Sequence, residues 1–102
     1  MPRYQLEHLP QPGHTQALTV DGRSILLCNV EGDYFAIEDV CTHDGSPFDD
    51  GRLIGACIEC PRHGARFDVR TGEALTLPAF LPVESYPIER NGDIVTIEIP
   101  DS

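Results

Sequence analysis

Two short segments of the chain each place a cysteine close to a histidine. Cys41 and His43 are separated by one residue, and Cys60 and His63 by two. A thiolate is a soft anionic ligand and an imidazole nitrogen a neutral one, so each segment can give a sulfur to one metal ion and a nitrogen to its neighbour. Two thiolates on one iron and two imidazoles on the other hold a [2Fe–2S] cluster with mixed ligands. The spacing therefore predicts that Cys41, His43, Cys60 and His63 bind one such cluster, and that the chain carries electrons.

The mixed ligand set also bears on the reduction potential. Two neutral imidazoles in place of two thiolates leave the cluster less negative, so an added electron is repelled less and settles on the iron bound by histidine. We therefore expect a potential above that of a ferredoxin whose cluster is held by four cysteines.

Two other uses of these residue types stay open. Two cysteines and two histidines also suit a structural zinc ion, although zinc motifs usually pair cysteine with cysteine and histidine with histidine. The four cysteines of the chain would form disulfides only in an oxidising compartment. The opening residues 1–8 have no apolar core resembling an export signal, so we expect a cytoplasmic protein with free thiols.

The sequence around the ligand segments resembles Rieske-type ferredoxins, including those that serve aromatic-ring dioxygenases. The resemblance is specific between about 39 and 72 and looser from 78 to 99. The residues that carry it are Cys41, Thr42, His43, Phe48, Gly51, Cys60, Pro61, Arg62, His63, Gly64, Phe67, Asp68, Thr71 and Gly72.

This resemblance implies a fold and an arrangement of the ligands. The fold would be all-β, a Rieske-type β-sandwich or barrel formed by a single domain, 1–102, with a small inserted cluster-binding subdomain at about 41–67. Cys41 and Cys60 would bind an inner iron. His43 and His63 would bind an outer, solvent-facing iron from which electrons leave.

The chain departs from the respiratory-chain branch of this family in ways that affect the driving force. That branch has a further cysteine in each ligand loop, where this chain has Ser46 and Arg62. It also has serine and tyrosine hydroxyls bonded to sulfur, at positions matched here by Ala65 and Phe67. Such hydrogen bonds spread the negative charge of the reduced cluster, so without them the potential should be lower. We expect the low end of the Rieske range, on the order of −150 mV.

Composition narrows the class of partners. A chain of 102 residues is one domain with no room for a second catalytic unit. The net charge of −10 disfavours nucleic acid and anionic membranes, which bind basic patches, and no apolar run reaches the roughly 20 residues of a membrane span. Acidic residues near the ligands would either steer a basic surface of a redox partner or form an ordinary solvated surface. They are Asp39, Asp44, Asp49, Asp50 and Glu59.

These observations predict a soluble, monomeric one-electron carrier between a flavin-dependent reductase and a terminal oxygenase. The chain is not expected to be an enzyme, because oxygen activation needs a separate iron site with two histidines and a carboxylate. Outside the ligand motif only His8 and His14 remain, and both are expected at the surface. The alternative is a small Rieske-like subunit of a larger reductase, such as nitrite reductase.

Short β-rich segments separated by turn residues predict the all-β fold. The clearest turn is Asn91-Gly92, a pair that readily adopts the positive φ angles of a type I′ hairpin turn. Further turns are expected at Asp21-Gly22 and at 31–33. The expected strands are 17–20, 24–30, 34–38, 56–60, 66–69, 85–90 and 94–99.

A few residues outside the ligand set have expected supporting roles. Gly45 and Gly64 lack a Cβ, so the backbone beside the ligands can donate N–H bonds to inorganic sulfide, form tight turns, or do both. Residues 78–82 resemble the proline-containing third loop that covers the cluster in this family. Cys28 is expected to be a small buried hydrophobe. Cys57 forms a Cys-x-x-Cys with the second ligand cysteine, which leaves a weaker zinc or redox interpretation open.

Overall fold

A computed structural model of the chain describes residues 2–42, 45–48, 51–61, 64–77 and 81–100. These residues form ten β-strands and no helix that could cross a membrane. The strands are β1 (Arg3–Leu6), β2 (Thr15–Val20), β3 (Arg23–Val30), β4 (Asp33–Glu38), β5 (Arg52–Ile54), β6 (Cys57–Glu59), β7 (Arg66–Asp68), β8 (Ser85–Tyr86), β9 (Ile88–Asn91) and β10 (Ile94–Glu98).

The strands form three antiparallel sheets, and the predicted all-β fold is confirmed. One sheet has the order β1-β10-β9, the second β2-β3-β4-β8, and the third β5-β6-β7. The third sheet lies between β4 and β8 in the chain, so it is an insertion into the four-stranded sheet. It carries the second ligand segment at the turn between β6 and β7.

Strand β3 contributes to both hydrophobic cores. Ile25 and Leu27 are fully buried and pack in one core with side chains of β10. Leu26 and Cys28, which point to the opposite face, pack in a second core with the residues around the ligand cysteines. A strand covered on both faces is apolar without alternation, which explains the continuous run in this segment. Each such aliphatic side chain contributes about 1.5–3 kcal/mol through burial.

The two turns expected at Asp21-Gly22 and at 31–33 are present, and in the second Asp33 already pairs with Val30. Asp21 and Gly22 have φ of 51° and 76°, and Glu31 and Gly32 have φ of 53° and 96°. Both pairs are two-residue loops between paired strands. Positive φ at both positions is the type I′ pattern, which matches the natural twist of the flanking strands.

The hairpin at Asn91-Gly92 forms, but its predicted turn is one residue out of place. Asn91 pairs with Ile94, so the loop residues are Gly92 and Asp93. Of these only Gly92 has a positive φ, 62°, which is the type II′ pattern. The guanidinium of Arg90 donates to the carbonyl oxygen of Gly92 at 3.0 Å and to that of Gly32 at 2.7 Å. These bonds favour the observed register over the one predicted from the Asn-Gly pair.

The strand expected over 85–90 is interrupted at Pro87. Strand β8 pairs with β4 in the four-stranded sheet, whereas β9 pairs with β10 in another sheet. Proline has no N–H to donate to a β-ladder, and Pro87 instead accepts a bond from Glu98 N–H through its carbonyl oxygen. The chain therefore crosses from one sheet to the other at this residue.

Candidate metal centre

The structure brings the two predicted cysteine ligands into one core. Cys41 follows β4 and Cys60 follows β6, and their exposed fractions are 0% and 1%. Both belong to the same cluster of buried residues. His43 and His63 lie outside the described residues. The predicted strand that delivers Cys60 is present as β6.

The two ligand segments have the same backbone hydrogen bonds. Cys41 N–H donates to Ser46 O, and Cys60 N–H donates to Ala65 O, each at 2.7 Å. Within these turns, Gly45 N–H donates to the carbonyl of the first cysteine at 2.7 Å and Gly64 N–H to that of the second at 3.0 Å. The backbone hydrogen bonds around the two cysteines therefore follow the same pattern.

Gly45 and Gly64 are required by this turn. Their φ angles are 75° and 72°, a region that side chains with a Cβ rarely adopt. Their N–H groups bond the cysteine carbonyls. Of the two roles expected for these glycines, the described contacts support tight turns.

An aromatic pair connects the two loops. Phe48 comes shortly after the first loop and Phe67 shortly after the second, and their rings meet edge to face at 5.4 Å between centroids. Both side chains are fully buried. Such pairs add about 0.5–1.5 kcal/mol to the burial of the rings. Ala65 is also fully buried, so at positions 65 and 67 no side-chain hydroxyl is available to bond a sulfur.

The segment around the third loop is fastened to the first. Thr42, which lies between the two predicted ligands of the first loop, donates its hydroxyl to Leu81 O at 2.7 Å. Val83 N–H donates to Gly72 O at 2.8 Å. The expected covering loop is thus attached near Cys41 at its described end, while residues 78–80 lie outside the described part of the chain.

The acidic residues near the centre that the structure describes do not form the expected acidic surface. Asp39 is only 8% exposed and accepts a bond from Phe48 N–H, so it is a buried residue and not part of an acidic surface of either expected kind. Glu59 lies beside Arg52 and Arg66 across the three-stranded sheet, and its carboxylate is 3.6 Å and 3.1 Å from their guanidiniums. Two arginines thus offset its charge. The remaining acidic residues of that set, Asp44, Asp49 and Asp50, lie outside the described residues.

The other cysteines and histidines have less specific surroundings. Cys28 is fully buried, as expected, and its burial, together with the nearby Asp39 carboxylate, raises the pKa of its thiol to about 12. It therefore remains a neutral thiol at ordinary pH. Cys57 is half-buried in β6, and the four cysteines are not joined to one another. His8 and His14 are exposed, as expected.

The sequence did not predict that Thr42 and Asp39 help to shape the site through hydrogen bonds to the backbone. Both bond to backbone groups that are distant in the chain or across a loop. The only local signal is a short polar side chain next to a ligand, which is too common to identify them.

The donor set suits an iron–sulfur centre. Two thiols reach one apolar core from segments with the same backbone hydrogen bonds, and a buried thiolate is stable there only beside a cation. The all-β fold and this pair of cysteine loops are the arrangement expected of an iron–sulfur domain. The sequence model of the Rieske [2Fe–2S] domain matches residues 2–87. The chain belongs to this family, and family membership gives it one [2Fe–2S] cluster, which favours the cluster over zinc.

Known relatives point to the ferredoxin branch. The ferredoxin component of the naphthalene 1,2-dioxygenase system of Pseudomonas aeruginosa is 39% identical over 94 residues, covering 92% of this chain and 89% of the relative. The solved ferredoxin of carbazole 1,9a-dioxygenase from Nocardioides aromaticivorans is 32% identical, with a TM-score of 0.88 over 95% of this chain and 97% of that one. A complex of reduced oxygenase and oxidised ferredoxin in carbazole 1,9a-dioxygenase matches at 32% identity and a TM-score of 0.80, over 85% of this chain and 82% of that one.

Proposed function

We propose that the protein is a one-electron carrier that passes electrons from a flavin-dependent reductase to a terminal oxygenase. The observation that carries the proposal is the pair of equivalent loops that places Cys41 and Cys60 in one core. The relatives support it, because they are ferredoxin components of dioxygenase systems, and one such ferredoxin forms a complex with its oxygenase. The carrier itself is not an enzyme.

In this proposal four residues hold the cluster. Cys41 and Cys60 would bind one iron, and His43 and His63 would bind the other. The cluster supplies reversible transfer of one electron. The protein keeps water from the sulfur side by burying both cysteines, and the glycine turns fix the direction of each thiol. We also propose one domain over 1–102, with the cluster-binding part at about 41–67, and a monomer in the cytoplasm.

An exposed apolar surface next to the ligand loops suits docking of the oxygenase. Leu75, Leu77 and Leu81 are 44%, 70% and 65% exposed, and Leu81 is bonded to the first loop through Thr42. Only two other large apolar side chains of the described residues, Ile54 and Ile94, are comparably exposed. Leu75 N–H donates to the carbonyl oxygen of Arg66, which follows the second loop, and exposed apolar side chains near a site often mark a protein interface.

The absence of hydroxyls at positions 65 and 67 supports a low potential for the carrier. Ala65 and Phe67 cannot donate to sulfur, so the reduced state lacks two stabilising hydrogen bonds. A value on the order of −150 mV suits a relay from a flavin to an oxygenase and is poor for accepting electrons from quinol. A measured potential well above zero would contradict this part of the proposal.

Ligand variants test the proposal. His43→Ala, His63→Ala and Cys60→Ala should each lose or convert the centre in visible and electron paramagnetic resonance spectra, because each removes a bond to iron. Cys28→Ala is the matched control, since it removes a fully buried cysteine from the same core and should keep the centre. Loss of iron in the Cys28 variant together with normal spectra in the His63 variant would refute the assignment.

A second experiment addresses the partner. Size-exclusion chromatography with candidate oxygenases should show association that weakens as salt is raised, as expected for a transient carrier. Permanent co-elution with a larger reductase would instead favour the alternative of a reductase subunit.

A further inference from the structure

The carboxylate of Asp39 lies in an unusual place for a charged group. Asp39 is two residues before Cys41 and only 8% exposed. A buried carboxylate is costly unless it is hydrogen-bonded, and its Oδ1 accepts the Phe48 N–H at 2.9 Å. The backbone N–H of Asp39 donates to Ser24 O at 3.0 Å. The residue therefore fastens the first ligand loop to β3 at one end and closes it at the other.

The bond from Phe48 to Asp39 spans the whole first loop. Inside it lies the turn in which Cys41 N–H donates to Ser46 O. Phe48 in turn packs edge to face on Phe67, which follows the second loop. The chain of contacts from Asp39 through Phe48 to Phe67 thus connects the two loops that carry the cysteines.

The carboxylate of Asp39 also lies beside the core that contains both ligand cysteines. Its Oδ1 accepts the N–H of Phe48, and the Phe48 side chain shares one buried cluster with Cys41 and Cys60. Charges interact more strongly in a protein interior than in water. A fixed negative charge beside a redox centre disfavours the addition of an electron.

We propose that Asp39 is a positioning residue with two effects: its carboxylate closes the first ligand loop, and its buried charge lowers the reduction potential of the centre. The inference rests on the proposed function, since it requires a redox cluster at Cys41 and Cys60. It adds a cause of low potential that is independent of the missing hydroxyls at Ala65 and Phe67.

Asp39→Asn separates charge from shape. The asparagine keeps an oxygen that accepts the Phe48 N–H, but it carries no charge. At a fixed applied potential the ratio of reduced to oxidised protein should rise about tenfold, which for one electron is 59 mV. The electron paramagnetic resonance spectrum should stay unchanged, because the ligands keep their geometry. Asp93→Asn is the control: it removes the same charge from an exposed residue in the β9–β10 turn and should leave the ratio within twofold of wild type.

Asp39→Ala tests the positioning role. Without an acceptor for the Phe48 N–H, the variant should lose iron to a chelator several times faster than wild type, whereas Asp39→Asn should lose it at the wild-type rate. Asp39→Ser provides a second uncharged acceptor if the asparagine variant assembles poorly.

Three results would overturn the inference. The first is an Asp39→Asn potential no higher than that of Asp93→Asn. The second is equal iron loss from Asp39→Ala and wild type. The third is failure of both the Asn and Ser variants to hold a cluster, because an uncharged acceptor should suffice to close the loop. Absence of a reversible iron–sulfur centre in the wild type would instead refute the proposed function.

Discussion

Replacing Thr42 by valine should loosen the third loop without disturbing the first. Valine has nearly the same shape as threonine but cannot donate to Leu81 O, the bond that joins the two loops at 2.7 Å. The Leu81 residue is exposed, so water can satisfy its carbonyl once the bond is lost. The cost is therefore the net value of an ordinary hydrogen bond, about 0.5–1.5 kcal/mol. Because 1.4 kcal/mol is a factor of ten, the segment should open about 2- to 12-fold more often.

Hydrogen–deuterium exchange followed by mass spectrometry measures this opening. In the oxidised protein, a peptide covering 77–83 should exchange faster by that factor in Thr42→Val than in wild type. Thr42→Ser keeps the hydroxyl and should exchange nearly as wild type does. A peptide from β1, in a different sheet, should be unchanged in all three proteins.

Equal exchange of the 77–83 peptide in the valine variant and wild type would refute the reasoning. It would mean that the bond between Thr42 and Leu81 does not hold the third loop. Faster exchange in the serine variant as well would show that the methyl group, and not the hydroxyl, fixes the loop.

Three further predictions concern other parts of the molecule. Bonds from Arg70 hold the pKa of the Asp68 carboxyl below its usual value. These bonds stabilise the folded state at pH values above the ordinary carboxyl pKa of about 3.9, and this stabilisation is lost as the pH falls through the lowered pKa. Asp68→Asn should therefore unfold at a lower urea concentration than wild type at pH 7, and at the same urea concentration as wild type in strong acid. Arg66→Gln should slow electron transfer to the anionic chelate Fe(EDTA)⁻ at low salt, because Arg66 adjoins the second ligand loop and its positive charge attracts the chelate. Arg3→Gln is the control and should slow this transfer less, since Arg3 also pairs with a glutamate at 3.1 Å but is not next to a ligand loop. Gly72→Ala should lower thermal stability by several degrees, since a Cβ there would overlap a backbone carbonyl at a φ of 83°; an unchanged midpoint would contradict this.

The sequence predicts the local parts of the fold well. The positions of the turns at Asp21-Gly22 and at 31–33 are predicted from their turn residues, although their I′ type is not, and the strands between them are predicted from β-branched and apolar residues. The apolar run in β3 does not by itself show that the strand has two covered faces, because the covering residues come from β10 and the ligand loops. The short strands β1 and β5 have little pattern of their own and depend on pairing with distant partners.

The site shows the same division between local and distant information. Cysteine and histidine spacing identifies the ligand loops, and Gly45 and Gly64 mark their turns. The burial of Asp39 and the pairing of Glu59 with Arg66 depend on how separate segments pack, so the acidic residues looked like one exposed surface in the sequence. The register of the Gly92 turn likewise depends on Arg90, whose second bond reaches a different hairpin.

Electron–nuclear double resonance of the dithionite-reduced protein, with iron and acid-labile sulfide measured on the same sample, tests the central claim most directly. We expect two nitrogen couplings from His43 and His63 on an iron–sulfur signal, with equal amounts of iron and sulfide. A spectrum without nitrogen coupling, or stoichiometric zinc without labile sulfide, would contradict the account.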